Sequence, residues 1–482
     1  MQFCGVFPLQ RTTMLIAVII IGSFLVSGGA ATRIAPDTFH EAVNTTLIEL
    51  DDNYLEELPV ELLAGLTHLR VFAASNNKIK SVPEELFLEN LEVKEIRLSN
   101  NFFKTLPSKF FAELPILEEL YLDRNNLVAL HDDAFVDCPM LRVLDLGYNR
   151  LVSIPVRIFE QQKESIQSLN LRANHLSSLE FIKGLKLLTA LNLEANQVSV
   201  LQGGEFDGTP NVTHLWLAYN DLHQLTSESF RGLNMLRVLG LSNNAIEFIE
   251  PDTFAALKTL NELYLNGNHI KSLPDSVFLA LGETLQILSL RDNRLEQVPV
   301  TIIQNLPKLQ ELDLSSNPIA NLSERILQYN LNIARLSLTD VRLQRIGKKF
   351  LPNPKLITFL SLERCFIEEI DPEAFWSFGS LYSSELHLSQ NELTILPKGL
   401  FRTSGLLRVL NLSYNLLTRL NPDTFASNSS LEELYLEGNK INQLTVGNFG
   451  IFPVLKILSL RNNCIEWIAE VFPSLMVLGL DP

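Results

Sequence analysis

Residues 236–246 read LRVLGLSNNAI, and a close relative of this eleven-residue phrase returns along the chain, most often after 24 residues. A fixed period of this length marks a repeat architecture, in which each unit buries its apolar face against the next. The phrase aligns as LxxLxLxxNxL. Its asparagine position falls at Asn53, Asn77, Asn101, Asn125, Asn149, Asn174, Asn196, Asn220, Asn244, Asn268, Asn293 and Asn317, then at Val341 and Cys365, then at Asn391, Asn415, Asn439 and Asn463. Sixteen of eighteen positions are therefore Asn, and the steps depart from 24 only to 22, 25 and 26.

Each column has a physical role. In LxL the two leucines point inward and the residue between them outward, the period-two pattern of a short strand. Strands stacked side by side form a parallel sheet whose inner face rests on the leucines. The Asn stands where the chain leaves the strand, and its amide is suited to satisfying buried backbone groups of adjacent turns as a structural ladder. The rest of each repeat returns along the other side, where a phenylalanine recurs at matching points from Phe87 to Phe449, preceded by Phe39. At that spacing the phenylalanines form a core spine. The expected fold is an α/β repeat solenoid with a parallel sheet and an irregular or short-helical return, running over residues 45–482 as eighteen full repeats and a partial nineteenth. Residues 31–44 carry a half-repeat, IAPDTFHEAV, whose Ile34, Phe39 and Val43 are expected to cap it. Leu475, Leu478 and Leu480 begin the last strand, with Trp467 and Phe472 beside an end that lacks a polar cap.

The first 30 residues form a separate piece. Arg11 precedes MLIAVIIIGSFLV (Met14 to Val26) and then SGGAAT, the pattern of a signal peptide cut near Ala30 or Ala31. Thirteen apolar-rich positions fall short of the roughly 20 needed to span a bilayer, so the mature chain is expected to be secreted, with no membrane span. Lys and Arg number 39 against 55 Asp and Glu, a net charge of −16. This balance argues against nucleic acid, which is held by a strong basic face.

No constellation for catalysis, and no cofactor motif, is found. The eight histidines are scattered over different repeats and columns, and HExxH, CxxC, phosphate-loop and GxSxG patterns are absent. A non-enzymatic binding protein is the expectation. Of the outward column between the strand leucines, Trp216 and Tyr264 flank Gly240, with His214 and Tyr219 beside Trp216 and Tyr121 farther up the chain. Large aromatics held out into water on a rigid sheet dominate interface energetics when a partner covers them, although strands also favour aromatics on their own account. His214, Trp216, Tyr219, Tyr264 and Tyr121 are the candidate partner-binding residues. Sequons stand at Asn44, Asn211, Asn321, Asn411 and Asn428; a glycan at Asn411 would sit in the outward column, and one at Asn211 at an edge of the aromatic group.

Where the ladder breaks, Arg335, Arg342, Arg345, Lys348, Lys349 and Lys355 gather in an otherwise acidic chain. They read either as solvated charges on irregular backbone or as a basic docking patch. Cys138, Cys365 and Cys464 remain after the leader, an odd number for a secreted chain. Cys365 and Cys464 lie four repeats apart, about 19 Å at ~4.8 Å per strand, against the ~7 Å that a disulfide allows between Cα atoms. Cys365 takes the inward Asn column, whereas Cys464 follows Asn463 at an outward position, free to reach another chain.

The strand phrases LRVLGLSNNAI, LNELYLNGNHI and LRVLNLSYNLL resemble the leucine-rich repeat family in the 24-residue form of animal extracellular proteins, over residues 34–482. The resemblance implies a curved horseshoe whose concave sheet binds protein partners. Toll-type receptor ectodomains, chaoptin-like adhesion proteins and the secreted leucine-rich immune proteins of mosquitoes are similar. The chain departs from the first two in lacking a membrane tether and cysteine-rich caps, and from many of the third in lacking a C-terminal coiled coil. The third group fits best and implies extracellular innate immune recognition; a cell-adhesion or matrix protein, or a receptor-like ectodomain, is the alternative. Mosquito proteins of this group join through cysteines near the end of their repeats, which implies a covalent homo- or heterodimer through Cys464.

Overall fold

The structure, a computed structural model, describes residues 18–20, 23–25, 31–108, 110–111, 114–320, 330, 332–348, 350–351, 354–425, 430–444, 452–468 and 475–480. They fall into two compact units, residues 1–240 and 241–482. Each unit is a parallel β-solenoid with little helix.

In the first unit every repeat contributes one three-residue strand, from Leu47–Glu49 through Val143–Asp145 and Ser168–Asn170 to His214–Trp216 and Val238–Gly240. Neighbours pair in parallel and one repeat apart, so that Leu144 faces Leu120 on one side and Leu169 on the other. The central residue of each strand is buried, and in Val143–Asp145, Ser168–Asn170 and His214–Trp216 it is a leucine whose two neighbours are part-exposed, as alternation requires. Ser23–Leu25, inside the segment read as a leader, pairs in parallel with Leu47–Glu49 and antiparallel with Val18–Ile20. Of the two residues at the expected cut, Ala30 lies outside the described residues, and Ala31 is buried. Phe39 is buried as a cap residue should be, but Val43 is 48 % exposed. It sits where the chain turns into the first strand, outside the leucine stack.

The second unit repeats the arrangement from Glu262–Tyr264 to Ile457–Ser459 and Val477–Gly479. Its strands also pair in parallel, with one register shift between Ser384 and Glu385. That bulge lies in the repeat whose step is 26 residues, so the additional length is taken up locally and the ladder resumes at Asn391.

Strands are short because the chain must bend at once. The residue before each ladder position adopts a left-handed conformation, with φ between 52° and 69° at all eighteen, Asp52, Tyr148, Ala195 and Tyr219 among them. Half of these residues are Asn, Asp or Gly, the types that tolerate it.

Behind the sheet the phenylalanines stack. Phe135 lies 6.0 Å from both Phe111 and Phe159, nearly parallel to the latter at 6°. The column skips a place in the 22-residue repeat, and Phe181 fills it, edge-on to Phe159 at 6.3 Å. In the second unit Phe375, Phe401 and Phe425 continue the pattern at 6.3 and 5.8 Å, and Phe452 packs on Phe425 at 5.3 Å; Phe449 lies outside the described residues. The return segments are turns and 3-10 pieces such as Val60–Leu63 and Leu279–Leu281, with one described α-helix, Val300–Gln304.

Candidate functional site

The ladder asparagines are occupied with backbone. Asn149 donates its amide to the carbonyls of Leu122 (3.0 Å), Leu146 (3.0 Å) and Gly147 (3.2 Å), and its Oδ1 accepts from Leu127 N (3.0 Å). The same four-bond pattern recurs at, for example, Asn101, Asn220, Asn317 and Asn439 in their own units. Fifteen of the sixteen are buried, Asn463 being half-exposed. A buried side chain with every hydrogen-bonding atom engaged has nothing left for a ligand.

The outward face of the sheet is richer than one column. Residues two before and two after the central outward position also face out, and a Glu two before tethers three of the tyrosines of that column. Tyr121 donates its hydroxyl to Glu119 (2.8 Å), Tyr264 to Glu262 (2.8 Å) and Tyr435 to Glu433 (2.9 Å). Burial first, and then the neighbouring carboxylate, push the Tyr121 and Tyr435 phenols up to about 12 and raise Tyr264 as well. The repeated sequence Glu-Leu-Tyr is the signal for these tethers, because residues i and i+2 share a strand face.

In the first unit His214 and Trp216 stand together. Their rings stack at 5.4 Å and 26°, and the His214 Nδ1 lies 2.8 Å from the Thr213 hydroxyl. Trp216 is half-buried rather than free in water, because its indole leans over Gly240 on the next strand; a β-carbon there would be 3.3 Å from Trp216 Cδ1. Across the sheet Ala190 and Val238 flank His214, and Asn192 and Gly240 flank Trp216, so the two aromatic rings are bordered by small, apolar and amide side chains. Tyr219, at φ 56° and 58 % exposed, follows in the turn. Tyr121 is not part of this group: four strand spacings, about 19 Å, separate it from Trp216. Tyr264 belongs to the second unit. Toward Tyr121 the surface becomes polar, with Asn170 donating to both oxygens of Asp145 at 3.0 Å and Arg172 paired with Glu194. Burial raises Asp145 above the usual carboxylate range against the opposing pull of Asn170 and the Gly147 amide.

The second unit carries a shallow cleft of about 520 Å³ on the same kind of face. Arg408 pairs with Glu385 and Glu433 across it, and His387 stands 3.6 Å from Glu363 and 3.8 Å from Glu385. Asn411 lies half-buried in the cleft floor with its Oδ1 accepting from Ser413 N (3.0 Å). Of the other sequons, Asn44 and Asn211 are exposed, Asn211 donating to Lys186 O at 2.8 Å, while Asn321 and Asn428 lie outside the described residues.

Four of the basic residues near the ladder break stand beside acids or rings. Arg335 faces Glu311 at 3.6 Å and the Phe359 ring at 4.3 Å, Arg345 faces Glu369 at 3.6 Å, and Lys348 faces Glu373 at 3.0 Å. Arg342 stands 6.0 Å over Phe366; Lys355 is exposed and Lys349 lies outside the described residues. One-repeat stacking sets Arg335, Arg342, Arg345 and Lys348 beside an acid or ring of an adjacent turn, which favours the reading as surface charge over a docking patch.

Cys138 and Cys365 are buried and Cys464 is exposed, all three as free thiols. Burial pushes the first two up to about 12. Cys365 substitutes for a ladder Asn by donating its thiol to Leu338 O at 3.0 Å. Because the thiolate is the reactive species, brief treatment of the native protein with iodoacetamide near neutral pH is expected to alkylate Cys464 and spare Cys138 and Cys365. Peptide mass mapping checks this; equal labelling of the three would mean that the two buried thiols are open to solvent.

Among the described residues no group of three or more His, Cys, Asp or Glu is placed to hold a metal, and no helix is long and apolar enough to cross a membrane. No curated protein matches the sequence. Among solved structures, a leucine-rich repeat protein of Leptospira interrogans is 26 % identical, with a TM-score of 0.60 over 85 % of this chain and 88 % of that one. Toll, in its complex with Spätzle from Drosophila, is 17 % identical with a TM-score of 0.66, over 90 % of this chain and 73 % of that one. YopM from Yersinia enterocolitica is 21 % identical with a TM-score of 0.60, over 95 % and 91 %. The last two show the shared solenoid fold. The leucine-rich repeat model matches residues 91–151, 141–198, 164–222, 210–270, 283–329 and 384–441. These segments cover more than half of the sequence, and the chain belongs to the leucine-rich repeat family.

Proposed function

We propose that this chain is a secreted, non-enzymatic recognition protein that binds a protein partner through the outward face of its sheet, in extracellular innate immunity. The observation that carries the binding reading is the aromatic pair of the first unit, where Trp216 stacks on His214 and leans over Gly240. Rigid, part-desolvated aromatics on a preformed surface are the typical anchors of interfaces. A Drosophila protein of the same fold, Toll, was solved in complex with Spätzle, a complex described as a molecular hub in development and innate immunity, which supports a partner of protein class and an immune setting. The leader pattern of the first 30 residues and the sequons support secretion as a glycoprotein. A matrix or adhesion role uses the same surface; recovery of the protein from body fluid rather than from membranes separates the two.

Trp216→Ala tests the binding surface. Partner captured from extracellular fluid on the immobilised wild-type protein and identified by mass spectrometry is titrated against both proteins. Truncating such an anchor typically costs 2 kcal/mol or more, so at least ~30-fold weaker binding is expected, with an unchanged melting temperature. Equal affinity would remove the patch from consideration.

Cys464, the exposed thiol, is the proposed point of covalent assembly with a second chain in an oxidising compartment. A dimer band on non-reducing gels that is lost in Cys464→Ser supports this, and a wild type that runs only as monomer refutes it.

A further inference from the structure

Gly240 is buried on the outward side of its strand, where the neighbouring repeats place larger residues such as Asn192 and Trp216. It has no left-handed backbone to explain a glycine: its φ is not among the positive values of the chain. What distinguishes it is the indole above. A β-carbon at 240 would stand 3.3 Å from Trp216 Cδ1 and 3.8 Å from Trp216 Cα, and a branched side chain would place further carbons into the ring. The imidazole of His214, stacked at 5.4 Å, limits the indole from along its own strand. The ring is thus held between a neighbour that is present and a side chain that is missing.

We propose that Gly240 is the positioning residue of the binding patch: the absence of a side chain at 240 lets the Trp216 indole lean across the next strand, and this pose defines the surface that a partner meets. The proposal rests on the reading of Trp216 as a contact residue, but the pose itself is measured without any partner. A larger residue at 240 drives the indole off the strand and into water, exchanging a low apolar platform for a protruding ring while leaving the leucine stack beneath untouched.

The chain has three tryptophans, Trp216, Trp376 and Trp467, so Trp376→Phe with Trp467→Phe leaves Trp216 as the sole indole emitter. In that background Gly240→Val is expected to shift emission to the red and to accelerate quenching by acrylamide, with Gly240→Ala between it and the parent. Far-UV circular dichroism and melting temperature report whether each variant folds; if Gly240→Val does not, Gly240→Ala carries the test. Fluorine NMR of fluorotryptophan in the otherwise unsubstituted chain, with the Trp216 resonance assigned by Trp216→Phe, gives a second view of the same displacement. Unchanged emission, quenching and fluorine shift in folded Gly240 variants would overturn the proposal and leave the binding reading standing. Equal partner affinity in Trp216→Ala would instead remove the binding reading without altering the pose.

Discussion

Phe135→Ala is expected to lower the stability of the first unit by about 3–5 kcal/mol, the usual cost of emptying a buried aromatic site. Phe135 has no exposed surface and stands between Phe111 and Phe159 at 6.0 Å each. Deleting the ring therefore strips contacts from two neighbouring repeats at once. The return segments here are hydrogen-bonded within their own turn and to the next, for example Cys138 N to Phe135 O at 3.1 Å and Gln162 Nε2 of the following repeat to Phe135 O at 2.6 Å, so the backbone has little freedom to collapse into the void. Phe135→Leu, which retains most of the volume, should cost much less. Urea unfolding followed by circular dichroism checks both. A loss below ~1 kcal/mol for the alanine variant would mean that the spine is loosely packed and that the leucines alone hold the repeats together.

Asn149→Ala should be nearly as damaging, for an electrostatic rather than a packing reason. It removes the partner of Leu127 N and a donor to Leu122 O and Leu146 O, all buried. An unsatisfied buried group costs about 1–3 kcal/mol, and partial rehydration limits the sum, so a loss of about 3 kcal/mol is expected. Asn149→Asp discards the donors and should be no better. Asn149→Cys should be milder, because Cys365 already fills the same position with its thiol donating to Leu338 O at 3.0 Å and Glu363 O at 3.2 Å. That ranking, measured by the same unfolding experiment, separates lost hydrogen bonds from lost volume. An alanine variant as stable as the wild type would show that water replaces the ladder without penalty.

Both variants act on features legible in the primary structure. The leucine, Asn and Phe columns repeat at short intervals, and a periodic pattern is visible without knowing where the chain goes. The left-handed residue before each Asn was also within reach, since half of those positions are Asn, Asp or Gly. The signal is diluted at Arg124, Tyr148, Ala173 and Tyr219, which take the same φ near 55° because the ladder bonds on either side dictate the bend. Phe181 escaped the column because a 22-residue step moves it off the common spacing, although packing needs a ring only at the right place in space.

The candidate patch was partly legible. His214 and Trp216 share one strand face and were bound to meet, since residues two apart on a strand project to the same side. Residue type alone groups Tyr121 with them, but it stands four strands away. The Glu partners of Tyr121, Tyr264 and Tyr435 stand two residues before the central outward column, so that column by itself does not reveal them.

Local pattern alone determined the repeat, the inward and outward sides of each strand and the buried asparagines, because each of these is decided within about ten residues. Tertiary structure decided what touches across repeats: that the Trp216 indole leans over Gly240, that Arg345 and Lys348 face Glu369 and Glu373, and that Arg408 bridges Glu385 and Glu433. Those partners are some 23 to 25 residues apart in the chain and about 4.8 Å apart across the sheet. Rotamer and register select among them, and neither is written in the spacing of leucines.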